Sequence, residues 1–202
     1  MLNRVMIVLC ALMLLSAPAY AAPETGKPAP DFAATDIEGK AVQLSALKGK
    51  IVVLEWNNPG CPFVKKHYGS GNMQQLQAYA GKQGVVWISV DSSAPGRQGN
   101  MTAEEAKTYI SAHKASPAHY ILDPEGKIGL LYDAKNTPSM YVIDAKGNLA
   151  YKGAIDDKPT ADPADIATAH NYVKAALDAL LAGKPVDPAQ TQAYGCSVKY
   201  AD

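Results

Sequence analysis

The stretch Ile51-Val52-Val53-Leu54-Glu55-Trp56-Asn57-Asn58-Pro59-Gly60-Cys61-Pro62-Phe63-Val64-Lys65-Lys66-His67 decides the fold. Its first six residues form an apolar, β-branched run, the pattern of a buried strand. Asn57 to Gly60 is a loop, and Pro62 suits the first position of a helix, where its missing N–H costs nothing. A buried strand, a short loop and a helix opening at a cysteine set the Cys61 sulfur among unpaired backbone N–H groups, at the positive end of the helix dipole. Such sites lower a cysteine pKa from ~8.5 to between ~3.5 and 7.5. Lys65, Lys66 and His67 add positive charge within two turns, with Lys65 expected on the sulfur's side. The thiolate is the nucleophile in both disulfide exchange and peroxide reduction. The competing reading, a buried inert cysteine, is disfavoured by the strand–loop–Cys–Pro–helix junction.

Outward from this junction, strand and helix signals alternate. Upstream, residues 32–35 and 41–44 read as a hairpin around Asp36-Ile37-Glu38-Gly39-Lys40, and residues 45–48 as one helical turn. The Pro-rich residues 22–29 read as a loose arm. Downstream, the helix from Pro62 runs towards Tyr79 with a break at Gly69-Ser70-Gly71. Strands follow at 85–90, 120–122, 140–143 and 149–152, with a helix over 102–113, where Thr102 and Glu105 have capping-box spacing, and a short one over 129–132. Ile166, Val173, Leu177 and Leu180 share one face of a final helix ending at Gly183. The pattern predicts an α/β fold: a central mixed β-sheet flanked by helices, with an N-terminal β-hairpin. Residues 22–202 form one domain, in which 184–202 are a tail carrying the last cysteine.

The N-terminus has a charge at Arg4, an apolar run from Val5 to Leu15 and small residues around Ala19-Tyr20-Ala21. These are the parts of a secretory signal peptide over residues 1–21, and the apolar run is shorter than the ~20 residues that span a bilayer. A secreted or periplasmic location follows, without stable membrane association after cleavage. Hydrophobic residues make up 48% of the chain, enough for a real core, and the formal net charge is zero. Nucleic-acid or anionic-membrane partners need clustered Lys and Arg; here the only arginines are Arg4 and Arg97. Of three cysteines, Cys10 leaves with the signal peptide, so Cys61 and Cys196 remain. Two thiols in an oxidising compartment allow one intramolecular bridge.

The segment from Glu55 to Lys66 resembles the active-site segment of the peroxiredoxin-like (alkyl hydroperoxide reductase/thiol-specific antioxidant, redoxin) branch of the thioredoxin superfamily. Asn136-Thr137-Pro138-Ser139-Met140-Tyr141-Val142-Ile143-Asp144 is similar to the cis-proline loop of that branch, and Ala193-Tyr194-Gly195-Cys196-Ser197-Val198-Lys199-Tyr200 to its C-terminal cysteine motif. The resemblance implies a thioredoxin-like fold and a thiol-dependent oxidoreductase, with Cys61 as nucleophile and Cys196 as resolving cysteine. It also implies that Pro138 is cis and that the backbone at Thr137 lies against Cys61. Substrates would be a peroxide or a disulfide, with an unidentified thiol as electron donor. Two departures bear on chemistry. Asn58 replaces the first cysteine of a Cys-x-x-Cys motif, so no bridge forms within it. Leu54 and Asn58 stand where typical peroxiredoxins carry proline and threonine, and Arg97 is only a remote candidate for the arginine that orients peroxide.

Several residues keep two readings. The Cys61–Cys196 bridge either cycles, is a permanent staple worth ~4–5 kcal/mol by chain entropy, or does not form. Asn58 either donates to a peroxide or sulfur or caps a turn; Trp56 either flanks the sulfur or fills the core. His67 lies near the chemistry or faces solvent. His113, His119 and His170 have no metal spacing, and Asp156, Asp157 and Asp162 read as a solvated loop, with a cation site as the competing reading. No cofactor or metal is expected. The competing class is a non-catalytic binding module with a static disulfide; fast alkylation of Cys61 at neutral pH separates the enzyme from it.

Overall fold

A computed structural model describes residues 22–202; the expected signal peptide, with Cys10, lies outside the described residues. The hairpin is present: β1 (Ala33–Thr35) pairs antiparallel with β2 (Ala41–Gln43). Its turn is closed by Asp36, whose Oδ1 accepts from the Glu38 and Lys40 amides at 2.9 Å each. The central sheet comprises β3 (Val52–Trp56), β4 (Val86–Asp91), β5 (His119–Leu122), β7 (Ser139–Ile143) and β8 (Leu149–Gly153). Their spatial order is β5-β4-β3-β7-β8; β3, β4 and β5 run parallel, and β7 is antiparallel to both β3 and β8.

Alternation along the strands sorts the core into two halves. Val52, Leu54 and Trp56 share one face with Val86, Ile88 and Val90, packed against Phe32, Val42, Leu44 and Tyr132. Val53, Trp87, Met140 and Val142 point the other way, towards α1 (Pro62–Gly69), α2 (Asn72–Lys82) and α5 (Tyr172–Leu181). The break between α1 and α2 falls where the sequence places it, with Gly71 at φ +79° in the left-handed region that a glycine occupies without penalty. The Thr102–Glu105 capping box opens α3 (Ala103–Ala112): the Glu105 amide donates to Thr102 Oγ1 at 3.3 Å and the Thr102 amide to Glu105 Oε2 at 2.8 Å. Helix α4 spans Lys127–Leu131.

Two expectations are corrected. The segment 22–29 is no loose arm: the Gly26 and Ala29 amides donate to the Leu149 and Gly147 carbonyls at 2.7 and 2.9 Å, and the Leu149 amide returns to Lys27 O at 2.8 Å. Those bonds cover the outer edge of β8, which would otherwise present unpaired backbone groups. Ile166 does not belong to the final helix. It lies in a separate 3-10 turn, Pro163–Thr168, and α5 starts afresh at Asn171, whose side chain caps the Lys174 amide at 2.9 Å.

Within the face under α1 and α2 sits one carboxylate, Glu55, fully buried. Its Oε1 accepts from Asn57 Nδ2 (2.9 Å) and Tyr68 OH (2.8 Å), and its Oε2 from Trp87 Nε1 and Ser89 Oγ (2.9 Å each). Four donors replace the water this group has lost. Glu55→Ala is expected to orphan all four and to cost about 3–5 kcal/mol. The check is urea unfolding: the midpoint should fall with the slope unchanged, and an unchanged midpoint would mean the donors find other partners.

Candidate active site

Cys61 is the N-cap of α1, followed by Pro62 at the first helical position. The Cys61 amide donates to Asn58 O (3.0 Å), and its own carbonyl accepts from the Lys65 amide (2.9 Å). Its side chain takes no part in capping; the sulfur is turned inward and is fully buried. As a thiol it donates to the Thr137 carbonyl, Sγ to O 3.1 Å. The Thr137–Pro138 peptide is cis.

The tail reaches the same place. After α5 it returns along β8, where Lys152 N donates to Ala189 O and Thr191 N to Lys152 O, 3.1 Å each. It then forms β9 (Cys196–Ser197), antiparallel to β6 (Asn136–Thr137), with Cys196 directly opposite Thr137. Beyond it, Val198 N donates to Lys135 O (2.9 Å) and Tyr200 OH to Ala134 O (2.7 Å). Gly195 makes the approach possible. At φ +125° it presses against Thr137, whose carbonyl oxygen would lie 2.0 Å from any added Cβ. Gly195→Ala is therefore expected to unseat β9, slowing Cys61–Cys196 disulfide formation about tenfold or more and speeding Cys61 alkylation. Stopped-flow oxidation and timed alkylation of the reduced protein read both effects; parental rates would show that the tail tolerates the clash.

Both cysteines are free thiols, and their ionisation is linked. Burial raises the Cys61 pKa, but hydrogen bonds outweigh it, with Cys196 first, then Thr137 and the Val64 amide, so the net shift is downward. The Thr137 hydroxyl has no partner while Cys61 is a thiol, and it stands ready to donate to the thiolate. Cys196 moves the other way, to about 11, through burial and then the hydrogen bond and charge of Cys61. The pair thus divides into one sulfur that ionises more easily than an ordinary thiol and one that ionises less easily.

The candidate residues are sorted by this arrangement. Cys61, Thr137, Pro138 and Cys196 come together. Asn58 is buried beside them, but its groups are spent on the loop: Nδ2 donates to Gln98 O (2.9 Å) and Ser93 Oγ (3.4 Å), and Oδ1 accepts from the Gly60 amide (2.8 Å). That is the turn-capping alternative. Trp56 is corrected: as an even-numbered residue of β3 it packs on the opposite sheet face, 5.5 Å from Tyr132 and 5.1 Å from Tyr141 between ring centroids, and does not flank the sulfur. Strand alternation alone carries that signal. Lys65 is exposed; hydrogen bonds, not this lysine, depress the Cys61 pKa. His67 does not face solvent, nor is Asp156 part of a solvated loop: both are buried and meet at Tyr194.

The family described as AhpC/TSA matches residues 25–152. A thiol-disulfide oxidoreductase, ResA, from Bacillus cereus is 28% identical over 129 residues, which are 64% of this chain and 69% of that protein. An uncharacterised conserved protein from Geobacillus kaustophilus superposes with a TM-score of 0.74 at 28% identity, covering 88% of this chain and 93% of that one. A thiol:disulfide interchange protein, DsbE, from Chlorobium tepidum superposes with a TM-score of 0.54 at 25% identity, over 65% and 85% of the two chains. The matched span holds the β3–Cys61–α1 junction and the Thr137–cis-Pro138 loop; this chain belongs to the AhpC/TSA family, in the redoxin branch of the thioredoxin superfamily.

Proposed function

We propose that this thiol-dependent oxidoreductase cycles Cys61 and Cys196 between dithiol and disulfide, exchanging with external disulfides. One observation carries the reading: β9 seats Cys196 opposite Thr137, the residue whose carbonyl receives the Cys61 thiol. In the first step the Cys61 thiolate attacks a substrate disulfide, forming a mixed disulfide and releasing one substrate thiolate. In the second, the Cys196 thiolate attacks the Cys61 sulfur, releasing the other substrate thiolate and leaving Cys61–S–S–Cys196. The substrate gains two electrons and the enzyme loses two; an external thiol donor returns them. The steps are ordered by charge. While Cys61 is a thiolate it holds Cys196 protonated; once Cys61 is in a mixed disulfide, that charge is gone and Cys196 ionises more readily.

Peroxide reduction is the second reading, favoured by the burial of Cys61 beneath the tail, which admits a small oxidant more easily than a protein. Here a hydroperoxide oxidises the Cys61 thiolate to a sulfenic acid and leaves as an alcohol, and Cys196 condenses with the sulfenic acid, releasing water. Both N–H donors of Asn58 are spent on Gln98 O and Ser93 Oγ, leaving none to donate to a peroxide, so this route is the slower one. The N-terminal pattern supports export of the mature chain from near Ala22. N-terminal sequencing of exported protein tests that, and an intact Met1 would count against it.

The test is to treat reduced protein separately with oxidised glutathione and with hydrogen peroxide, then map both cysteines by mass spectrometry. An intramolecular Cys61–Cys196 peptide, formed faster with glutathione disulfide, is expected. Two inert sulfurs would replace the enzyme reading with a non-catalytic module.

A further inference from the structure

The tail is gripped two residues before Cys196. The ring of Tyr194 lies 5.8 Å from Phe63 between centroids and 5.7 Å from the Lys66 ammonium. Its hydroxyl meets His67 Nε2 at 3.2 Å and donates to Asp156 Oδ1. Phe63, Lys66 and His67 are spaced i, i+3 and i+4 on α1, so they form one helix face. That helix begins at Cys61. The donor order is consistent throughout. Asn72 Nδ2 donates to His67 Nδ1 at 2.9 Å, which leaves the ring proton on Nε2, directed at the Tyr194 oxygen; the Tyr194 proton goes to Asp156. Burial, reinforced by Lys66 and opposed by Asp156, lowers the His67 pKa to about 4, keeping that ring neutral. A buried histidine, a buried carboxylate and the α1 face that carries Phe63 and Lys66 thus converge on one tyrosine of the tail, while Val198 and Tyr200 beyond β9 pack on the opposite core cluster.

We infer that Tyr194, held by His67 and Asp156, is the positioning residue that keeps Cys196 within reach of Cys61. The clamp acts through Cys196 and touches no substrate. It raises the effective concentration of one thiol at the other by removing the freedom left between Thr191, which is hydrogen-bonded to Lys152, and β9. The inference rests on the dithiol–disulfide reading above.

The experiment equilibrates the mature protein with dithiothreitol at graded ratios of reduced to oxidised form. The Cys61 and Cys196 thiols lose two protons and two electrons to oxidised dithiothreitol, whose disulfide opens to two thiols, and an S–S bond forms between the cysteines. Thiol trapping and mass spectrometry give the equilibrium constant. Tyr194→Phe keeps the ring and removes the hydroxyl. It should lower the constant about tenfold or more, roughly 30 mV in potential for each tenfold, with an unchanged near-ultraviolet circular dichroism spectrum. Reduced Tyr194→Phe should also alkylate faster at Cys61, because the loosened tail uncovers it. Asp156→Asn keeps a neutral acceptor and should give a smaller loss in the same direction. An unchanged or increased constant in Tyr194→Phe overturns the clamp while leaving the redox couple standing; if Tyr194→Phe does not fold, the same outcome in Asp156→Asn decides. A parent protein that forms no Cys61–Cys196 disulfide at any ratio overturns the redox couple itself, and the clamp with it.

Discussion

Cys61→Ser is expected to reduce thiol–disulfide exchange by about 10³-fold or more, the scale of loss when a nucleophile is deleted. A serine hydroxyl is not ionised near neutral pH, so neither the Thr137 hydroxyl nor the Val64 amide has a charge to stabilise. The loss would not come from misfolding. Cys61 occupies the N-cap of α1 without making a side-chain cap bond, and serine is among the better N-cap residues. The variant should therefore unfold at the same urea concentration as the parent or a higher one. Insulin reduction or small-disulfide turnover, beside an unfolding curve, checks both halves. Parental turnover by Cys61→Ser would defeat the mechanism.

Substitution of Cys196 should divide according to the side chain introduced. Cys196→Ser and Cys196→Ala both remove the resolving sulfur, so both should accumulate Cys61 as a mixed disulfide or a sulfenic acid, with turnover falling about 10²-fold or more. Their effects on Cys61 ionisation should differ. The Cys196 thiol is the foremost group lowering the Cys61 pKa. Serine can still donate to the thiolate and alanine cannot, so the Cys61 midpoint should move to higher pH in Cys196→Ala and stay lower in Cys196→Ser. In the parent, a second thiol should ionise near pH 11. Alkylation rates across a pH series read all three proteins. Equal midpoints for serine and alanine would mean that Cys196 does not hold the thiolate.

Much of this site is legible from local sequence because the relevant physics is local. The run 51–56, Pro62 after Cys61, the glycines at 69 and 71 and the Thr102/Glu105 pair each act within a few residues, and each appears as read. The two sheet faces are legible as well, through alternation, which assigns Trp56 to the core. The final helix is misread at Ile166 because a helical period can be continued by eye across 169–171, where the chain turns and Asn171 starts a new cap. The clamp is beyond local reading. His67 and Tyr194 are separated by 127 residues, and Asp156 and Tyr194 by 38. Nothing within a window of one helix or strand marks a histidine that will be buried by a tail. The same holds for Glu55, whose acceptors are matched by donors from α1 and the neighbouring strand β4.

The docking of β9 also has a consequence for biogenesis. Among the described residues, every strand of the central sheet and all five α-helices precede residue 182, whereas Cys196 follows Cys61 by 135 residues. At ~5–20 residues per second, a ribosome needs roughly 7–27 s to make the intervening chain. Throughout that interval Cys61 lacks both the foremost group that lowers its pKa and the tail segment that covers its sulfur. The nascent polypeptide thus carries Cys61 before the segment that packs on it has been made. Docking comes last, when the newly made C-terminal segment settles across Thr137, so chain order delivers the cover of Cys61 and the group that lowers its pKa in one step.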